Sequence, residues 1–140
     1  MAESDVVRFA DRERSVTVEL DRAGKGGRHE GELVIDTGFV RARLPVHFTD
    51  ADLADLAAWL DRRAAAEEDG TPPDGRAADW PEAGRSAYLR LHGADPFVVE
   101  VRDPVQSGVT VTVPLNPRDG WAARAAARLE RLRATLPGAR

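Results

Sequence analysis

The sequence predicts an α+β domain in two layers, a largely antiparallel sheet of about six to eight strands with two amphipathic helices on one face. Three observations predict it. Apolar side chains alternate with period two through several short segments, the pattern changes to helical period in two places, and the order strands-then-helix occurs twice along the 140 residues. A sandwich with peripheral helices is the rival arrangement.

Residues 39–48 give the clearest strand. Val40, Ala42, Leu44, Val46 and Phe48 point one way, and Phe39, Arg41, Arg43, Pro45 and His47 the other. One dry face and one wet face is the mark of an antiparallel strand. The same alternation runs through residues 16–20, 87–92, 97–102 and 109–115, the last with Thr110 and Thr112 outward. Residues 6–9 add a short first strand that turns at residues 11–14. Thr37-Gly38 reads as a tight hairpin between a strand at 32–36 and the strand at 39–48.

The first helix follows Thr49, a good N-cap, with Asp50 and Asp52 placed to favour the positive end of the helix dipole. Its stripe is Leu53, Leu56, Ala57, Leu60 and Ala64. The second starts near Asp119-Gly120, shows Trp121, Ala125, Leu129, Leu132 and Leu136, and stops at Pro137-Gly138. A shift of 69 residues lays Pro114 on Pro45, Asp119 on Asp50, Leu129 on Leu60 and Arg131 on Arg62, which suggests a pseudo-duplication. Residues 1–140 read as a single domain. Residues 66–84, rich in acids, Pro and Gly, read as a flexible connection with Trp80 as its anchor, and residues 23–27 as a second flexible loop.

Composition narrows the chemistry. The chain is 42% apolar and 31% charged and has no cysteine, which excludes disulfides, thiolate metal sites and thiol catalysis. No stretch approaches the ~20 apolar residues of a membrane span, and the acidic start differs from the basic start of a signal peptide. A cytoplasmic location without membrane contact is therefore expected. The net charge of −4 disfavours a general nucleic-acid binder. The acidic surplus lies in the first half, and the bases are arginines except Lys25, as in proteins of GC-rich genomes.

Two stretches carry a resemblance. One runs from Phe39-Val40-Arg41-Ala42-Arg43-Leu44 through Phe48-Thr49-Asp50-Ala51-Asp52-Leu53 into a helix. The other runs from Ser107-Gly108-Val109-Thr110-Val111-Thr112-Val113-Pro114 to Asp119-Gly120-Trp121 and an arginine-rich helix. Over residues 6–136 the chain resembles a family of small uncharacterised actinobacterial proteins known as a domain of unknown function. In layout alone it is more distantly similar to immunity proteins paired with wall-associated contact-dependent toxins. Neither resemblance brings a catalytic residue to carry over.

No constellation of residues reads as a catalytic, cofactor or metal site, and no cofactor is expected. Ser4, Ser15, Ser86 and Ser107 lie in no nucleophile elbow. Gly24-Lys25-Gly26-Gly27 lacks the spacing of a phosphate loop. His47 and His92 both fall on outward strand positions, where two imidazoles and a carboxylate would hold a metal if their strands were neighbours; His29 reads as a loop residue. Asp50, Asp52 and Asp55 are explained by the helix start. Arg124, Arg128 and Arg131 form a ridge on the last helix, within reach of acids of the first. Trp59 and Trp121 read as covers for the rim of the core or, alternatively, as part of a partner surface.

The outer sheet face is the candidate that remains. Arg41, Arg43, His47, Tyr88, Arg90, His92 and Arg102 emerge there, mixed with Glu19, Glu32 and Glu100. Such a face either docks an acidic partner or is a solvated lattice of cross-strand pairs, each contributing ~0.2–1 kcal/mol. The leading reading is a non-catalytic protein-interaction domain, an immunity or toxin-neutralising protein among the forms it could take. It would use that face or the acidic segment 50–69, against an unidentified protein partner. The alternatives are a small metal-dependent hydrolase using His47 and His92, and a nucleic-acid-binding module. Oligomeric state is not legible.

Overall fold

The computed structural model describes residues 4–72, 75–82, 86–93 and 96–137. The acidic start at Met1 to Glu3, Pro73, Asp74 and Gly84 of the connection, and Gly138 of the helix stop lie outside the described residues. Among those described, the chain forms β1 (Asp5–Ala10), β2 (Ser15–Ala23), a 3-10 turn (Lys25–Gly27), β3 (Arg28–Asp36), β4 (Arg41–Thr49) and α1 (Asp50–Asp69). It then forms β5 (Ala77–Trp80), β6 (Tyr88–His92), β7 (Phe97–Asp103), β8 (Val109–Leu115) and α2 (Trp121–Ala134). Four strands and a helix are thus followed by four strands and a helix, the duplicated order expected.

The strands are antiparallel throughout and fall into two four-stranded sheets, β1-β2-β3-β4 and β5-β6-β7-β8. Each is a simple meander, so every pairing is between neighbours in sequence. The α+β class and the strand number are as expected; the division into two sheets is what alternation alone does not reveal. In the first sheet Phe9, Val16, Val18, Leu33, Ile35, Val46 and Phe48 turn inward, and in the second Leu89, Leu91, Val99, Val101, Val113 and Leu115 do so. Leu53, Leu56 and Leu60 of α1 and Leu129 of α2 join them in one cluster, and the two helices pack against each other. Full burial of each such side chain is worth about 1.5–3 kcal/mol.

Local chemistry explains the boundaries. Thr49 caps α1: its hydroxyl accepts from Asp52 N at 3.1 Å, and the Asp52 carboxylate accepts from Thr49 N at 2.9 Å. Gly31 in β3 faces Leu20 beside a bulge that leaves Asp21 without a partner in the ladder. A Cβ at Gly31 would stand 2.1 Å from the Glu19 carbonyl oxygen, so the two backbones can close here only over glycine.

Several expectations need correction. Thr37-Gly38 is not a two-residue hairpin: residues 37–40 form the loop, Thr37 N donating to Val40 O at 3.0 Å, and β4 starts at Arg41. Phe39 consequently sits on the loop, 95% exposed. Within residues 66–84, α1 continues to Asp69 and Ala77–Trp80 forms a strand. Trp80 is the anchor expected, its indole N–H donating to Asp52 O at 2.6 Å. His29 lies in β3, not in a loop, and is buried.

Further contacts tie the two halves together beside that of Trp80. Phe9 of β1 meets Trp59, Phe97 and Trp121 edge-on, at centroid distances of 6.3, 5.7 and 5.9 Å. Asn116 N donates to Asp11 Oδ2 at 3.0 Å, and His47 N to Ser86 Oγ at 3.2 Å. Trp59 and Trp121 therefore belong to an aromatic cluster at the junction, as covers of the core rim.

Candidate functional site

The residues expected on one basic face are divided between two sheets. Arg41, Arg43 and His47 lie on β4, whereas Tyr88, Arg90 and His92 lie on β6 and Arg102 on β7. His47 and His92 are not on neighbouring strands, which removes the geometry a shared metal would need. Among the described residues, no group of three His, Asp or Glu side chains could hold a metal ion.

Each cluster carries its own counter-charges. Glu19 and Glu32 stand directly opposite one another across β2 and β3, an unfavourable pairing of like charges. Arg43 bridges them, at 3.1 Å from Glu19 and 3.3 Å from Glu32, and its pKa is raised, first by the bond to Glu19. Arg41 approaches Asp36 at 3.5 Å. On the second sheet Arg90 makes a two-pronged bond to Asp79, directly opposite in the ladder, at 2.7 and 3.0 Å. That bond holds the Asp79 carboxyl below the ordinary aspartate range.

Glu100 is held between His92, whose Nε2 is hydrogen-bonded to Oε2, and Arg102, 3.0 Å from Oε1. The bond to His92, aided by Arg102 and opposed by burial, lowers the Glu100 pKa. Tyr88, expected to be exposed, is buried. Arg102 lies directly opposite it in the ladder, where a long arginine stem can cover an aromatic ring. The two faces are lattices of paired charge.

His29 as a paired residue was not legible from the sequence pattern. Its Nε2 lies 2.6 Å from Asp50 Oδ1, tying β3 to the first residue of α1, and its ring rests on Phe48 with centroids 5.6 Å apart. Nδ1 finds no hydrogen-bond partner among the described residues. A groove of about 440 Å³ borders this pair, lined also by Arg22, Arg28, Glu30 and His47.

A larger groove, of about 800 Å³, lies between the β1–β2 turn, the loop from β8 to α2, and one side of α2. Its α2 wall is Trp121, Arg124, Ala125 and Arg128, spaced as one face of a helix. Arg8 and Ala10, two apart on β1, line the other wall, Arg12 comes from the turn, and Arg118 and Asp119 come from the loop. The floor is tied by the bond from Asn116 N to Asp11. Burial works to raise the Asp11 pKa, but N–H donors of Glu13, Asn116 and Arg14, with the Arg14 charge, outweigh it and hold the carboxyl ionised.

Five arginines therefore line this groove against two aspartates, and Arg8, Arg12 and Arg118 make no ion pair among the described residues. Gly120 shapes one end. Its φ of +79° is costly for other residues, and a Cβ there would lie 2.9 Å from the Arg124 guanidinium, which donates to Asp119 O at 2.9 Å. Glu67 of α1 accepts from Gly120 N, placing an acid beside the N-terminus of α2.

The sequence signal for this groove was partial. The helical ridge of Arg124 and Arg128 was legible, but Arg8 and Arg12 join it only because the fold sets β1 beside α2. Arg131 makes no ion pair with an acid of α1 among the described residues, contrary to expectation. No helix of the described residues is long and apolar enough to cross a membrane. No curated protein matches the chain. Residues 4–137 match the model of DUF5959, a family of unknown function, and the chain belongs to that family.

Proposed function

We propose that the protein is a non-catalytic protein-interaction domain that holds its partner by charge complementarity at the arginine groove, in the manner of a toxin-neutralising or immunity protein. One observation carries this reading: Arg8, Arg12 and Arg118 border a groove of about 800 Å³ with no carboxylate in ion-pair contact among the described residues. The arginines of the sheet faces, by contrast, are paired with Glu19, Glu32, Asp79 and Glu100. A charge that already has its partner gains little from a second, whereas an unpaired cation still has that interaction to make.

The test is capture of partners from a lysate of the cells that carry the gene. The wild-type chain is compared with Arg8→Glu/Arg12→Glu/Arg118→Glu and with Arg41→Ala/Arg43→Ala/Arg90→Ala. A protein retained in stoichiometric amount by the wild type and the sheet variant, and lost from the groove variant, is the expected result. Loss from the sheet variant alone moves the interface to the sheet faces. Equal retention by all three chains removes the groove from the account.

A further inference from the structure

The groove also carries information about what it binds. We infer that it takes a short extended acidic peptide, with acids at alternate positions and an apolar side chain seated on Trp121 and Ala125. The inference rests on the binding reading above and specifies its partner.

Spacing is the first argument. Arg124 and Arg128, four residues apart on α2, are separated by about 6 Å along the helix axis. In an extended strand, side chains two residues apart point the same way and lie about 6.6 Å apart. Two acids in the order acid-x-acid therefore match the spacing of the two arginine positions along the wall without bending the peptide. Guanidinium is the cation best shaped for carboxylate, since its planar fork can give two parallel hydrogen bonds. Arg8 and Arg12, on the opposite wall and the turn, are placed to meet a third acid.

Length and surroundings argue against nucleic acid. The α2 wall runs from Trp121 to Arg128, about 10 Å along the axis, which spans about three extended residues. Duplex DNA carries a charge every ~1.7 Å and needs a cationic track that continues beyond such a span. Here the track ends in acid. Glu67 is bonded to Gly120, next to the groove residues Asp119 and Trp121. A peptide that ends or turns at that point avoids the Glu67 carboxylate, whereas a continuing phosphate backbone meets it.

The lining is mixed as well. Trp121, Ala125, Ala10 and Pro117 lie among the arginines, so an acid flanked by an apolar residue uses both kinds of surface. Trp121 is held for that role: its ring is stacked on Phe97 with centroids 5.1 Å apart and braced by Phe9.

The test is fluorescence anisotropy with a fluorescein-labelled ten-residue peptide of alternating Glu and Val. The competitors are an alternating Lys and Val peptide, a ten-nucleotide oligothymidylate, and inorganic phosphate. The acidic peptide should bind, be displaced by neither the basic peptide nor millimolar phosphate, and weaken as salt is raised. Arg8→Glu/Arg12→Glu/Arg118→Glu should weaken it about tenfold or more, a loss of about 1.4 kcal/mol, and Arg41→Glu/Arg43→Glu less than about twofold. Arg124→Ala, a milder change on the other wall, should weaken it as well; circular dichroism melts confirm that every variant folds.

Tighter binding of the oligonucleotide, displacement by phosphate, or equal affinity of all variants would overturn the inference. Peptide binding with no captured protein leaves the inference standing and removes the interaction function. Capture that depends on the groove without any peptide binding does the reverse.

Discussion

At the scale of single residues, the His29–Asp50 pair shows how a polar contact inside the fold sets a local stability. The imidazole is 2% exposed and reaches out to a carboxylate that is more than half exposed. Removing the partner of a buried polar group costs more than the bond itself contributes, about 1–3 kcal/mol, whereas removing both partners can be nearly neutral. Asp50→Ala should therefore destabilise the protein by about 1–3 kcal/mol in urea unfolding. Asp50→Asn, which keeps an acceptor oxygen, should cost less. Adding His29→Leu to Asp50→Ala should recover much of the loss. If the double variant is less stable than Asp50→Ala by the full cost of a core substitution, the imidazole contributes by its packing on Phe48, and the bond is incidental. This pair was illegible in the sequence for a definite reason. His29 follows three glycines within six residues, so its neighbourhood reads as loop, and only the register of β3 against β4 carries it beneath Asp50.

Elements were legible to the extent that their signals are local. The Thr49 cap, the stripe of α1, the strand at 109–115 and the start of α2 depend on spacing within one segment, and each is found where spacing puts it. Strand β5 has no such signal. Ala77–Trp80 is four residues long and half alanine, and it is a strand because Asp79 opposite Arg90 and Trp80 under Asp52 hold it on β6. The arginines expected on the outer face lie on strands, but their assortment between two sheets was not legible, since pairing partners are not periodic. Gly31 is an element-scale constraint of the same non-local kind. A methyl group there meets the Glu19 carbonyl, which is backbone and cannot swing aside. Gly31→Ala should cost about 1–3 kcal/mol and loosen β2 from β3, read as faster amide exchange of Glu19 and Glu32 than of residues in the second sheet. Unchanged exchange with unchanged stability would mean that the bulge at Asp21 can absorb the methyl group.

Over the whole molecule, the two halves are joined by aromatic packing around Phe9 and by polar bonds, one of them to the Asp11 carboxylate. Other carboxylates tie the second sheet together, so acid pH is a natural probe of the fold. Asp11, Asp79, Glu100 and Asp103 all have pKa values held below the ordinary range. For Asp103 the chief cause is hydrogen bonding from Ser107, which closes the β7–β8 hairpin. A carboxyl whose pKa is lower folded than unfolded binds its proton more readily in the unfolded chain. Its stabilisation is therefore complete above the unfolded value of 3.8 for aspartate, and is lost as pH falls through the folded value. The melting temperature should hold steady from pH 7 to about 5 and fall below about 4, although the net charge passes through zero near pH 5.4. Asp11 is the decisive case, since its carboxylate ties the first hairpin to the loop before α2, across 105 residues of chain. Asp11→Asn should lower the melting temperature at pH 7, and the gap to wild type should close below pH 3, where the wild-type carboxyl is itself protonated. A gap of constant size from pH 7 to 3 would show that the Asp11 side chain acts by shape alone, and the halves would then be joined without help from its charge.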